Sequence, residues 1–296
     1  MYLIVISKED PASVNIYHEL LRNPNWSLKQ DLKFEDNEVY TYPNKALMVT
    51  INQYHLFYDN LDKQINSSLG RNFGADLNIT VVIFASKHKS ASGMKTLSVH
   101  PIGNYSKAEY GGKPEALVPA APHIMTMAYR LLHKHALKLD LEHSVSFEAT
   151  HHGPYLETPS FFIEIGSDET AWGEPKAAVP IAQTILDLLG MDLEDHCKDY
   201  PIAIGIGGGH YAPRHTDVAR KKRVSFGHII PSYALDNISE QMLMSAFAQT
   251  PGAKYVYFHR KSLKKDRYHE LKLWYEQHGH EVISSEELED ISETDE

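Results

Sequence analysis

The sequence predicts an α/β layered fold, with a largely parallel or mixed central sheet and helices on both faces. Three observations carry this reading. Short apolar runs of strand length recur along the chain, and helical patterns fall between several of them. In the second half the strands also run directly into glycine, histidine and polar residues, as strands do at the ligand-binding edge of open α/β sheets.

Tyr2 to Ile6 reads as a buried first strand. Asp10 followed by Pro11 is an N-cap with proline at the first helical position, opening a helix to about Arg22. Strand-like runs follow at 46–51, 79–85, 96–99, 144–149, 161–165, 202–206, 224–230 and 255–258. Helices are expected at 121–141, where Ile124, Met127, Ala128, Leu131, Leu132 and Leu139 share one face, and at 175–189, 236–248 and 261–278. The stretch 101–122, with Pro101, Gly103, Gly111, Gly112, Pro114, Pro119 and Pro122, is the most loop-like internal segment. It either divides two lobes or forms an ordered active-site loop. Residues 1–280 are therefore expected to form one α/β unit, or two lobes divided near 101–122, followed by an acidic tail at 281–296 that frays.

The formal charge of −10 argues at first against a nucleic-acid partner, because sequence-independent binding to phosphate comes from Lys and Arg. The charge is segregated, however. Glu281, Glu286, Glu287, Glu289, Asp290, Glu293, Asp295 and Glu296 lie in a terminal stretch without Lys or Arg, which leaves the other 280 residues at −2. Basic residues gather at 214–223 (Arg214, Arg220, Lys221, Lys222, Arg223) and at 254–272 (Lys254, Arg260, Lys261, Lys264, Lys265, Arg267, Lys272). Cys197 is alone, which excludes an internal disulfide and any CxxC zinc or redox site, and a reducing compartment fits best. The six-residue apolar start meets Ser7-Lys8-Glu9-Asp10, too short for a signal h-region and too acidic for a transit peptide. With no run near the roughly 20 apolar residues of a membrane span, a cytoplasmic protein is expected.

Candidate chemistry gathers where strands end. Strand 144–149 leads into His151-His152-Gly153-Pro154, 202–206 into Gly207-Gly208-Gly209-His210-Tyr211, 224–227 into His228, and 97–99 into His100. Converging imidazoles would make a metal or acid/base site, although each histidine alone can equally be hydrogen-bonded structure. Glu148 and Glu164 are natural partners, since an acid inside an apolar run is costly to bury unpaired; a structural ion pair is the plain alternative for Glu164. His133, His135, His143, His196, His259, His269, His278 and His280 are expected to be solvated.

The Gly207–Gly209 amides could form a nest for a phosphate or oxyanion, or only a tight turn. There is no Gly-Lys-Ser/Thr ending and no third glycine of GxGxxG, and neither HExxH nor GxSxG is present. Without a nucleophile, activated water is favoured. Arg214 to Arg223 would stand at the mouth of the site and suit a polyanionic substrate, though a charge run is ordinarily a solvated helix face. The aromatic-interleaved Tyr255 to Lys261 segment is a possible stacking surface or simply core strand.

These residues resemble the archaeal and plant type of D-aminoacyl-tRNA deacylase. The matching segments are Ser98-Val-His-Pro-Ile-Gly-Asn104, Thr150-His-His-Gly-Pro154, Pro159-Ser-Phe-Phe-Ile-Glu-Ile-Gly-Ser167 with Trp172, Gly205-Ile-Gly-Gly-Gly-His-Tyr-Ala-Pro-Arg-His215 and Gly227-His-Ile-Ile-Pro-Ser-Tyr233. Arg260-Lys-Ser262 resembles a late Arg-Lys pair, with His259 where an acid is expected. The resemblance spans about 95–262 in the expected order. It implies hydrolysis of the ester between a D-amino acid and the terminal ribose of tRNA, two zinc ions per subunit, and a fold similar to peptidyl-tRNA hydrolases and phosphorylases.

The expected catalytic residues are then His151, His152, His210 and Glu164. Metal candidates are His100, His151, His210 and His228. Substrate contacts are expected from Gly207, Gly208, Gly209, Tyr211, Arg214, Arg220, Lys221, Lys222 and Arg223. The expected partner is tRNA charged with a D-amino acid, with no membrane, no obligate protein partner and a monomeric state. The competing readings are a zinc peptidase or amidase acting on small substrates, and a non-catalytic RNA-binding module.

Overall fold

The computed structural model describes residues 1–73, 77–191 and 196–292. The chain opens with β1 (Tyr2–Ser7) and α1 (Pro11–Leu20). The Asp10 carboxylate caps α1 by accepting from the Ser13 amide at 3.0 Å. Its second oxygen accepts from the Ser86 hydroxyl and the Lys87 amide, each at 2.9 Å, so one buried acid joins the helix start to the neighbouring strand.

Eight strands form the main sheet. They are β1, β2 (Ser27–Phe34), β3 (Asn37–Tyr42), β4 (Ala46–Ile51), β5 (Val81–Lys89), β6 (Thr96–Pro101), β9 (Ser144–Phe147) and β10 (Ser160–Ser167), in the order β2-β3-β4-β1-β5-β10-β6-β9. The sheet is mixed: β4, β1, β5 and β10 run parallel, and β6 pairs antiparallel to β10. Alternation along β1 shows why both faces must be covered. Ile4 and Ile6 join the core built with α1, α3 (Pro122–Lys138), α4 (Glu169–Trp172) and α5 (Pro175–Gly190), whereas Leu3 and Val5 join the opposite core with Leu61, Ile65 and Leu69 of α2 (Leu61–Leu69).

A second sheet, all parallel, is ordered β12-β11-β13-β14, with β11 (Ile202–Ile206), β12 (Ser225–Ile230), β13 (Tyr255–Phe258) and β14 (Glu281–Ile283). Ile204, Ile206, Val256 and Phe258 pack with α7 (Glu240–Ala248) and α8 (Lys265–Gln277), while Ala203, Phe226, Ile229 and Tyr257 join the first core. Helix α3 packs on β12, β6 and β9 and so links the two sheets. The fold expectation is met: the chain is α/β, with a large mixed sheet flanked by helices.

Three segments depart from the sequence reading. The β2–β3 hairpin has no apolar run to announce it, because only Leu32 and Phe34 of β2 are buried. The stretch 101–122 carries the small pair β7 (Gly103–Asn104) and β8 (Ala116–Leu117) and is tied to the His151–Gly153 loop: the Gly103 amide donates to the His152 carbonyl at 2.9 Å and the Gly153 amide to that of Tyr110 at 3.1 Å.

The expected fraying tail is also corrected. β14 pairs with β13, Leu288 is buried, and the Arg223 amide donates to the Glu289 carbonyl at 2.8 Å. Apolar Val282 and Leu288 supply burial that the acidic composition masks. Glu293, Asp295 and Glu296 lie outside the described residues.

Candidate active site

The mixed topology gathers the site: β10 lies between β5, which it parallels, and β6, which runs antiparallel to it, and the turns after β9 and β11 close over these strands. His88 comes from β5, His100 from β6, Glu164 from β10, Glu148 and His151 from the turn after β9, and His210 from the turn after β11. The two turns are joined, since the Ala149 amide donates to the His210 carbonyl at 2.7 Å.

The polar atoms crowd around Glu148. Its Oε2 lies 3.0 Å from His210 Nε2, 3.2 Å from His88 Nδ1 and 3.6 Å from His151 Nε2. Glu164 Oε2 lies 3.5 Å from His100 Nε2 and 3.7 Å from His88 Nδ1. Despite this proximity, both Glu148 oxygens, Glu164 Oε2, His100 Nε2 and His210 Nε2 are buried without a well-directed hydrogen bond among the described residues. The 3.0 Å approach of His210 to Glu148 meets the distance requirement of a hydrogen bond and fails its angle. Carboxylates at 0% and 1% exposure aimed at common space, rather than at each other, leave a large cost unless a cation takes it up.

The imidazoles are prepared for that. His100 Nδ1 is 3.0 Å from the Pro101 carbonyl, His151 Nδ1 2.8 Å from that of Ala149, and His152 Nδ1 2.7 Å from that of Gly153. Each Nδ1–H donates to backbone, which sets the tautomer and turns a bare Nε2 inward, the arrangement expected of metal-ligating histidine. Burial, helped by the neighbouring imidazoles, pushes His151 and His152 well below the ordinary histidine value, so both are neutral, as ligation demands. Burial alone would raise Glu148, but His210, His88 and His100 outweigh it and hold this acid low and ionised. Burial raises Glu164, and His100 offsets that only in part.

Three overlapping sets can each present ligand atoms within 4.8 Å of one another: His88, Glu148, His151 and His210; His100, His151 and His152; and His100, Glu148 and Glu164. A mixed imidazole and carboxylate set of this kind suits a divalent ion such as zinc. The cluster forms the floor of a cleft of about 760 Å³ whose walls include Tyr54, Phe57, Lys87, Lys89, Tyr110 and Tyr211.

The structure thus brings together His100, His151, His152, His210 and Glu164, with Tyr211 in the wall. His228 is not among them. It is fully buried elsewhere, its Nε2–H donating to the Val118 carbonyl at 2.9 Å and its Nδ1 3.1 Å from the Thr150 hydroxyl, and burial lowers it to about 4. The glycine nest is corrected as well. The Gly207 amide donates to the Ile230 carbonyl at 2.8 Å and the Gly208 amide to the Ser232 and Ser262 hydroxyls at 3.0 and 2.7 Å, so neither faces a ligand.

The basic window does not line the cleft. Arg214, at the start of α6 (Pro213–Lys221), reaches Tyr257, Asp217 and Ser285. Arg220 and Lys221 pair with Asp217, Lys222 with Asp290 and Arg223 with Glu289. His135 and His143, expected in solvent, are buried, and His135 Nε2 sits 2.8 Å from Asp187.

The residue that sequence reasoning missed is His88. The apolar run ends at Ala85, before polar Ser86-Lys87-His88-Lys89, yet β5 runs on to Lys89. Alternation from buried Phe84 through Ser86 to His88 was the available signal.

A family model for D-aminoacyl-tRNA deacylase matches residues 75–283. The D-aminoacyl-tRNA deacylase of Pyrococcus furiosus is 39% identical over 258 residues, which is 87% of this chain and 90% of that protein. That of Methanosarcina mazei is 34% identical over 290 residues, covering 96% and 92%. The crystal structure of a conserved protein of unknown function superposes with a TM-score of 0.86 at 28% identity, covering 98% of this chain and 99% of that one. With its ordered motifs, its two sheets and these relatives in agreement, the chain belongs to the D-aminoacyl-tRNA deacylase family.

Proposed function

We infer that this protein is a hydrolase that cleaves the ester between a D-amino acid and the terminal ribose of tRNA, with the chemistry seated in the His88–Glu148–His151–His210 cluster and its neighbours His100, His152 and Glu164. The observation that carries the site assignment is the convergence of buried, poorly satisfied carboxylate and imidazole atoms at the floor of a cleft that holds His151, His152, His210 and Glu164 together.

Zinc would be held by His88, Glu148, His151 and His210, with His100 and His152 available to a second ion through the set that shares His151. Bound there, it would supply the positive charge that polarises an ester carbonyl and makes water more acidic. The protein's own groups do the rest. Backbone carbonyls of Pro101, Ala149 and Gly153 orient the imidazoles, and burial keeps His151 and His152 neutral. Glu148, ionised and enclosed, balances the charge. Glu164, raised by burial, can hold a proton at Oε2, taking it from the attacking water and returning it to the departing ribose oxygen. Tyr211 and the β5 end wall the cleft.

The test is release of D-tyrosine against L-tyrosine from charged tRNA, before and after chelation and with zinc restored. Preferential release of the D-amino acid, lost on chelation and recovered with zinc, is expected. Equal release of both enantiomers would overturn the deacylase reading. Full turnover after complete metal removal would overturn the metal role alone.

A further inference from the structure

Two large aromatic side chains stand open to solvent at the rim of the cleft: Phe57 is 58% exposed and Tyr110 is 65% exposed. Exposed rings are not unusual by themselves, but these two are held in place with care. Phe57 ends a short 3-10 turn whose first residue, His55, is fully buried against Phe84 and Phe162. Tyr110 belongs to the 101–122 segment. Its carbonyl accepts from the Gly153 amide at 3.1 Å, and the next carbonyl, of Gly111, accepts from Asn104 Nδ2 at 3.0 Å.

The segments carrying the two rings press on each other and on the His151–Gly153 loop so closely that side chains are excluded. A Cβ at Gly111, where φ is +75°, would lie 1.7 Å from the Leu56 carbonyl oxygen and 3.3 Å from Phe57 Cδ1. One at Gly153 would lie 2.2 Å from the Gly112 amide nitrogen and 2.6 Å from the same Leu56 oxygen. Glycine is required at both places, and the consequence is that both aromatics are fixed by backbone to the histidine loop.

Lys87 and Lys89 line the same cleft and pair with no carboxylate among the described residues, Lys87 Nζ donating to the Tyr54 hydroxyl at 3.3 Å. Lys87 Nζ instead lies over the rings of Tyr54 and Trp172, at 4.5 and 4.8 Å from their centroids. Rigid, solvent-facing rings in one cleft with cations that have no carboxylate partner among the described residues, opening onto a hydrolytic centre, match the chemistry of a terminal nucleotide: a π-face to stack and a phosphate to neutralise.

We propose that Phe57 and Tyr110 are the stacking platform for the terminal adenine of the tRNA substrate, with Lys87 and Lys89 facing its phosphate. This rests on the deacylase reading, and its test separates the two. KM and kcat for D-tyrosyl-tRNA are measured for Phe57→Ala and Tyr110→Ala and for the ring-preserving Phe57→Trp and Tyr110→Phe. Base-aromatic stacking implies a rise in KM of about 10-fold for each alanine variant, with kcat changed by less than about 3-fold and with the ring-preserving variants near wild type. Alanine variants with the parental KM, or a loss that the ring-preserving variants share, would overturn the platform.

Binding of adenosine 5′-monophosphate, followed by calorimetry on the same variants, needs no turnover. The wild type should bind it and both alanine variants should bind it at least about 5-fold more weakly. Equal binding by all variants, or none by the wild type, counts against the platform. A wild type that binds the nucleotide through these rings but releases no D-tyrosine would sink the deacylase reading and leave the platform standing.

Discussion

The cleft floor and the Arg220–Arg223 edge both concentrate charge, and they dispose of it in opposite ways. At the edge every cation meets a carboxylate: Arg220 and Lys221 share Asp217 with Arg214, Lys222 meets Asp290 at 2.8 Å, and Arg223 meets Glu289 at 3.2 Å. On the cleft floor Glu148 has three imidazoles within 3.6 Å and yet neither of its oxygens is well hydrogen-bonded. The edge is closed within the fold: Arg220 and Lys221 pair along their own helix, and Lys222 and Arg223 hold the segment at 289–290. The floor is open in the same sense, with desolvated groups whose remaining capacity only something from outside can fill. Density of charge is therefore a poor guide to function, and satisfaction of charge a better one.

The largest effect that would sharpen this contrast is at Glu148. Glu148→Gln keeps the volume and removes the charge that gathers His88, His151 and His210, so D-tyrosine release should fall on the order of 10³-fold while tRNA binding is retained. A variant within a few-fold of wild type would break the comparison, because the unsatisfied floor would then be idle.

His228 tests the boundary of the site. Its pKa is lowered to about 4 by burial, against 6.5 when unfolded. The unfolded chain takes up the proton first, so the stability this neutral histidine contributes is complete above pH 6.5 and is lost as pH falls toward 4. The slope is about 1.4 kcal/mol per pH unit, and His228→Gln should remove one such unit from the acid limb of the unfolding profile with kcat nearly unchanged. A loss of turnover comparable to that of Glu148→Gln would return His228 to the active centre.

Next in size is Leu288, the apolar anchor of the closed edge. Leu288→Ala should cost about 2–3 kcal/mol in urea unfolding, because the site is buried, and should leave catalysis alone. Smallest of all, replacing Arg220, Lys221, Lys222 and Arg223 with glutamine should change the salt dependence of tRNA binding by less than one phosphate's worth, since these cations are held in ion pairs within the fold and lie outside the cleft. A clear flattening of that dependence would show that the acids give way to RNA and that the edge is not closed.

Much of this was legible in sequence, and the parts that were not share a cause. The strand-to-histidine junctions located His100, His151, His152 and His210, because an apolar run that gives way to glycine and imidazole marks where a strand can open onto a ligand site. His228 follows the same pattern and went elsewhere. Its position in β12 points it at the Val118 carbonyl and Thr150, which belong to segments 110 and 78 residues away. His88 carried too little signal, since two lysines around it hid a continuing strand. Composition made residues 281–296 look like a solvated tail, when Val282 and Leu288 pack into the two cores.

What the amino-acid sequence determined by itself was the α/β class, the order of most elements and the set of motifs that identify the family, because hydrophobic period and turn chemistry are local properties. What tertiary structure alone decided was which histidines face one another, which lysines and arginines keep an unanswered charge, and that His88 completes the cluster around Glu148. Those depend on strand order and on the pairing of distant polar atoms, and a polar atom's partner is a matter of place in the fold rather than of place in the chain.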